Sequence, residues 1–162
     1  MALNENQSSA LAGLERVECR LARGSDAAEL MPLIRAYYRF DGIRFQSAAI
    51  SAALATLLRR PSLGRVWIMR DRAMAVGYVV LTFNYDLEFG GLEGIVTDLY
   101  IRAEYRGHGL GRRALDLVRT HCRSLGIQAL ELQVERHNRD ARQFYRRLGF
   151  RELSRIVMTR PV

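Results

Sequence analysis

Lysine is missing from this chain; all 25 of its basic residues are arginine. A bias of that kind follows from base composition alone and needs no functional reason. Cysteine is scarce as well. Cys19 and Cys122 are the only two, far apart, with no CxxC and no Cys/His metal-ligand spacing around them. That excludes a disulfide framework and the usual zinc patterns, and leaves two reduced structural thiols with no metal expected. Long hydrophobic runs are absent: the longest, in Ala75 to Thr82, is near seven residues, against roughly 20 for a bilayer span. The first residues hold Glu5, no basic residue before Arg16 and no long apolar core, so they do not read as a secretory signal. Residues 1–15 are expected to be a flexible polar tail and 16–162 a single domain, in a cytoplasmic protein. Repeats and low-complexity segments are also lacking.

What is present is an uneven charge. Net charge is +8. Residues 1–101 hold 11 Arg against 11 Asp and Glu, whereas residues 102–162 hold 14 Arg against 6. A basic last third attracts polyanions, either nucleic acid or a phosphate-rich cofactor, and the local motif has to choose between them.

Periodicity divides the chain into alternating elements. Val17 to Ala22 reads as a strand. A Ser25/Asp26 cap then precedes an apolar stripe at Ala27, Leu30, Met31, Ile34, Tyr37 and Tyr38, with Pro32 inside it. This helix is expected to kink or to begin later than its cap. A second helix is capped at Ser47, passes Ile50, Leu54, Leu57 and Leu58, and stops before Pro61. Val66 to Arg70 and Met74 to Phe83 form a hairpin around Asp71 and Arg72, and Ile95 to Arg102 is the next strand. Leu110, Ala114, Leu117, Val118, His121 and Leu125 recur at helical spacing up to Gly126. Ala129 to Val134 is a strand, Asn138 caps a helix carrying Ala141, Phe144, Tyr145 and Leu148, and Arg155 to Thr159 closes as a strand. The order βαα-βββ-αβ-αβ predicts a mixed α/β fold, a central sheet flanked by helices.

Between the strand ending at Arg102 and the helix starting near Gly109 stands EYRGHGLGRRAL. Gly107, Gly109 and Gly111 let a backbone approach a ligand closely, and the first turn of a helix offers N–H groups and a dipole suited to negative charge. Arg106, Arg112 and Arg113 add positive charge. No Lys-Ser/Thr follows, so this is not a Walker A loop, and its late position leaves no room for a dinucleotide domain. It reads as a pyrophosphate cradle.

DLYIRAEYRGHGLGRRALDLV, Asp98 to Val118, resembles the cofactor motif of the GNAT superfamily of N-acetyltransferases, in which Arg106, Gly109 and Gly111 fill Arg/Gln-x-x-Gly-x-Gly/Ala. VERHNRDARQFYRRLGF, Val134 to Phe150, is similar to the family's second motif, an Asn-capped helix with a Tyr before Leu-Gly-Phe. The resemblance implies direct attack of a primary amine on acetyl-CoA through a tetrahedral intermediate. It places the cofactor on Leu99, Tyr100 and Ile101, on Arg106, Gly107, His108, Gly109, Leu110, Gly111 and Arg112, and on Asn138 and Tyr145. Tyr145 matches the position of the family's acid toward the leaving thiolate, although it also continues the apolar stripe Ala141, Phe144 and Leu148.

From Ala73 to Ile101 no arginine occurs, while Asp86, Glu88, Glu93 and Asp98 do. This acidic window precedes the cofactor loop and suggests a cationic small-molecule acceptor. TDLYIRAEYRGHGLG is similar to the polyamine and diamine acetyltransferase branch, with Thr97 where that branch carries a Glu. The base is therefore sought in Asp98 or Glu88. Tyr37, Tyr38, Phe40 and Phe45 fall where the family builds its acceptor wall. Two other readings stay open at this point: a catalytically silent acyl-CoA sensor, and a nucleic-acid-binding module using Arg136, Arg139, Arg142, Arg146 and Arg147. A homodimer is common in the resembling family.

Overall fold

A computed structural model describes residues 16–160; the expected tail at 1–15 lies outside the described residues. The elements are β1 (Val17–Leu21), a 3-10 turn (Gly24–Asp26), α1 (Ala27–Phe40), α2 (Ser47–Arg59), β2 (Gly64–Asp71), β3 (Met74–Asp86), β4 (Gly91–Ile101), a second 3-10 turn (Ala103–Tyr105), α3 (Leu110–Ser124), β5 (Ala129–Leu132) and α4 (Arg139–Arg147). The sheet is mixed, in the order β1-β2-β3-β4-β5, antiparallel except for the β4–β5 pair, which is parallel and joined by α3. Contacts divide the chain into two compact units, the first ending at Leu132 and the second beginning at Gln133.

In the first unit the two sheet faces are covered by different helices, as strand alternation requires. Ile68 joins Leu30, Leu33, Ile34, Leu54, Tyr78 and Val80 in the core under α1 and α2. Its neighbour Trp67 points the other way and meets His121 of α3 edge-on at 5.4 Å. α3 buries Leu110, Ala114, Leu115, Val118 and Cys122. Leu115 therefore belongs to the stripe, whereas Leu117 is half-buried and Leu125 is exposed. Gly94 of β4 permits this packing, since a Cβ there would stand 3.0 Å from Cys122 Sγ.

Several expected boundaries are corrected. α1 starts at Ala27, directly after the 3-10 turn, and continues through Pro32. A proline in the second turn removes only one intrahelical bond, and the burial of Leu30, Leu33 and Ile34 on both sides of it offsets that loss. The Asp26 side chain makes no bond to the α1 backbone. It accepts instead from Arg20 Nη1 and Nη2, both at 2.8 Å, and from the Arg23 N–H at 2.6 Å, tying β1 to the helix start. Gln46, not Ser47, occupies the N-cap of α2, and it makes no side-chain bond. β3 and β4 are longer than the expected Met74 to Phe83 and Ile95 to Arg102 strands, pairing as far as Asp86–Gly91 around the turn 87–90.

In the second unit Asn138 caps α4 as expected, its Oδ1 accepting from the Ala141 N–H at 3.1 Å. The helix ends in a Schellman motif: Gly149 (φ 91°) donates to the Arg146 carbonyl and Phe150 to the Tyr145 carbonyl. Its hydrophobic contact is Phe150 against Tyr145, ring centroids 5.8 Å apart. Leu-Gly-Phe after a tyrosine is thus a helix stop whose last ring fixes that tyrosine. The predicted strand Arg155–Thr159 is absent; residues 151–160 carry no strand and are exposed. Alternation in RIVMT records which side chains could share a face, but a strand forms only where a neighbour takes its backbone bonds.

Candidate active site

β4 carries the decisive irregularity. Val80 pairs with Asp98 and Leu81 with Val96, so Thr97 is an extra residue, a bulge. Pairing with β5 runs from Glu93–Ala129 to Val96–Leu132 and ends at the bulge, whereas β4 continues to Ile101 paired with β3. The Arg102 N–H donates to the Val76 carbonyl of β3. By alternation Tyr100 faces β3 too, and Leu99 and Ile101 turn their backbone groups to the opposite edge. The Ile101 carbonyl confirms this, accepting from Arg106 Nε at 2.8 Å. Past Val96 the sheet thus opens between β4 and β5, with the backbone of Leu99 and Ile101 along the opening.

The same bulge sets Asp98 on the α1 side. Tyr78 Oη, fully buried, donates to Asp98 Oδ2 at 2.8 Å. Burial pushes the Asp98 carboxyl above the usual carboxylate range; the Tyr78 hydrogen bond pulls it back and the charge of Asp41 pushes it further up. Burial also raises the Tyr78 and Tyr38 hydroxyls, with Asp98 adding to both. Rings surround this carboxyl: Tyr100 lies 6.4 Å from Tyr37 and 6.4 Å from Tyr78, and Tyr38 meets Phe45 edge-on at 6.1 Å. Tyr37, Tyr38 and Phe45 thus form one wall with Tyr100. Phe40 stands apart, 60% exposed, under the Arg106 guanidinium at 4.9 Å. Sequence reasoning missed Tyr78 altogether, and placed Tyr100 with the cofactor only by its backbone. The signal available was the tyrosine at 78 within the otherwise aliphatic run Ala75 to Leu81.

In the RGHGLG loop, Gly107 (φ 78°) and Gly109 (φ 84°) take left-handed conformations, and a Cβ at either would meet nothing within 4 Å. The space before them is open. Gly109 is the N-cap of α3, buried Leu110 anchors its first turn with Gly111 and Arg112 following, and the first helical bond is Arg113 N–H to the Gly109 carbonyl. The N–H groups from Gly109 to Arg112 consequently have no carbonyl within the helix. His108 is exposed at the loop's crest. A groove of about 330 Å³ continues along α3 past Gly109, Arg112, Arg113, Asp116, Leu117 and Thr120. The three arginines differ. Arg112 is exposed, Arg113 Nη1 donates to the Val17 carbonyl at 2.6 Å, and Arg106 leans on Phe40 and Tyr100. Beside the loop, Arg112 Nε lies 3.9 Å from Asp116 Oδ2, one turn along α3.

The acidic window does not gather at one place. Asp86 and Glu88 sit at the β3–β4 turn, where the Glu88 N–H donates to Asp86 Oδ1. Glu93 is buried in β4 and Asp98 is on the far side of the bulge. From Gly91 to Asp98 the ladder spans six β3 positions, Asp86 to Val80, a rise of about 20 Å at roughly 3.4 Å per residue, so Glu88 and Asp98 cannot share one proton path. The exposed Glu88 is not brought to the ring-lined carboxyl. In the second unit, Arg142 and Arg146 both bind Glu152, which removes two of the five arginines counted toward a nucleic-acid surface.

No helix among the described residues is long and apolar enough to cross a membrane. The family model described as Acetyltransferase (GNAT) family matches residues 28–150. The chain is 29% identical to the uncharacterized N-acetyltransferase YhfO of Bacillus subtilis (strain 168), over 82% of this chain and 89% of that protein. It is 32% identical to the thialysine N-epsilon-acetyltransferase of Bos taurus over 49% of this chain and 46% of that one. Among solved structures, the integron cassette protein HFX_CASS3 from the mobile metagenome of Cole Harbour Salt Marsh matches with a TM-score of 0.79 and 34% identity over 91% of each chain. The aminoglycoside N-acetyltransferase AAC(6')-Iy, solved in complex with CoA, has the same fold at a TM-score of 0.79 and 14% identity, over 90% of this chain and 94% of that one. With the family model spanning most of its length, the chain belongs to the GNAT acetyltransferase family and is an acyltransferase.

Proposed function

We propose that this enzyme transfers the acetyl group of acetyl-CoA to a primary amine of a cationic small molecule in the cytoplasm. The observation that carries the reading is the bulge at Thr97, which opens the β4–β5 edge and sets the Asp98 carboxyl among rings on the α1 side.

The loop fits a diphosphate. Gly107 and Gly109 leave open space where side chains would stand, and the N–H groups of Gly109 to Arg112 supply donors at the positive end of α3. When bound, acetyl-CoA supplies an activated thioester. Leu99 and Ile101 direct N–H groups to the open edge, where the thioester carbonyl would receive them. Asp98, its pKa raised and its Oδ2 held by Tyr78, takes the proton of the incoming ammonium. Tyr37, Tyr38, Phe45 and Tyr100 present ring faces suited to a cation. Tyr145 is assigned the proton for the departing thiolate, and Asn138 a contact to the cofactor, on their match to the family's second motif.

Thiol release from acetyl-CoA against amines that vary in charge tests the reading. Transfer to cationic amines is expected. Transfer only to neutral or anionic amines would remove the cationic acceptor, and CoA binding without thiol release would make the protein an acyl-CoA sensor.

A further inference from the structure

Tyr105 stands two residues before Gly107, and the amine chemistry above does not use it. Its Oη donates to Asp71 Oδ2 at 2.9 Å, 34 residues back in the chain. Asp71 closes β2, and a two-residue turn, Arg72 and Ala73, leads from it to Met74 of β3. Among the described residues Arg72 is the one non-glycine with a positive φ, 53°, in the left-handed region that a hairpin turn ordinarily fills with glycine or asparagine. Such a residue persists where its surroundings fix it. Arg70 does so here, its Nη2 donating to the Ala73 carbonyl at 3.0 Å and its Nη1 to Glu29 of α1 at 2.9 Å.

The chain between β4 and the RGHGLG loop is tied to this end of the hairpin at three points. β3 is bulged at Val76, because Met69 pairs with Gly77 and Arg70 with Ala75. The carbonyls of Ala75 and Val76 accept from Arg102, from its Nε at 3.0 Å and its backbone N–H at 2.9 Å. Both bonds end at Arg102, before the 3-10 turn. Tyr105 supplies the third, at the far end of that turn and next to Arg106.

The glycines beyond it make this tie matter. Gly107 and Gly109 sit at φ 78° and 84° with open space around them, and glycine loses more freedom than any other residue on being fixed. A loop of that kind binds more tightly when its path is already held. We propose that Asp71 and Tyr105 are positioning residues for the donor's diphosphate: their bond fixes the root of the RGHGLG loop, so that the N–H groups of Gly109 to Arg112 face the diphosphate before acetyl-CoA arrives. Both act through the loop and not on the reacting atoms. The proposal rests on the acetyl-transfer reading.

The test compares the wild type with Tyr105→Phe and Asp71→Ala. Calorimetry with CoA is expected to show affinity about tenfold weaker in either variant, the scale of one hydrogen bond to a charged group. The double variant should be no weaker than the single ones, since each already removes the same bond. Amide hydrogen exchange over residues 107–112, measured without CoA, should quicken in both variants. In thiol release, KM for acetyl-CoA rises by the same factor as the CoA affinity falls. kcat at saturation, and kcat/KM for S-acetylpantetheine, which carries no diphosphate, stay at wild-type values. Unchanged CoA affinity in either variant overturns the proposal. So does an equal loss of kcat/KM for both donors, because the bond then supports the fold at large and not the loop. If Tyr105→Phe does not fold, Asp71→Ala decides the matter by the same measurements. Wild-type protein that binds no CoA overturns the acetyl-transfer reading instead.

Discussion

The Tyr78 hydroxyl donates to Asp98 across the β3–β4 ladder at 2.8 Å, from a side chain with no exposed surface. Asp98→Asn is expected to lower kcat by about a hundredfold, the scale of a lost general base. The base is the deprotonated form, so kcat/KM falls as pH drops through the raised Asp98 pKa. Tyr78→Phe removes the donor that favours the carboxylate, which pushes that pKa further up and moves the acid limb to higher pH. Rate profiles of the two variants check both statements; an acid limb unmoved in Tyr78→Phe would exclude Asp98 as the titrating group.

Tyr145→Phe separates hydroxyl from ring. The ring contact with Phe150 and the Schellman stop survive the change. kcat should fall by about tenfold or more if the phenol assists the leaving thiolate. An unchanged kcat would leave Tyr145 as the packing residue its apolar stripe suggests.

Gly109→Ala is expected to cost about 1 kcal/mol of stability, because a Cβ at φ 84° enters the left-handed region although no atom blocks it. Affinity for CoA, measured by calorimetry, should fall with it. Gly24→Ala, also in open space but without a positive φ, serves as the control and should leave CoA binding unchanged.

Asp26 gives the fold an acid limit. Its bidentate bond to Arg20 chiefly, with the Arg23 N–H, lowers its pKa from 3.8 to about 2 against the opposing effect of burial. A depressed folded-state pKa contributes stability above the unfolded value, here about 2 kcal/mol at 1.36 kcal/mol per unit. That contribution is complete above about pH 4 and is lost as pH falls through about 2. Denaturant titrations should show Asp26→Asn less stable by about this amount at neutral pH, with a flatter acid limb.

The sequence by itself determined the features that depend on neighbours in the chain. The Asn138 cap, the Gly126 and Gly149 helix stops, the amphipathic face of α3 and the glycine loop before it are read within a turn or two. Local backbone chemistry specifies them, and two such motifs in order were enough to reach the family. Tertiary structure decided what depends on pairing. Whether RIVMT becomes a strand, whether Leu115 or Leu117 is buried, and whether Glu88 or Asp98 reaches the rings are set by partners far along the chain. The bulge at Thr97 is the clearest case. No residue type announces it, since it exists only as a shift of register between β3 and β4, yet it opens the sheet edge and returns Asp98 and Glu93 to one face. A one-residue change of register reverses every side chain beyond it, so the local alternation that identified β4 could not say which of its carboxyl groups share a side.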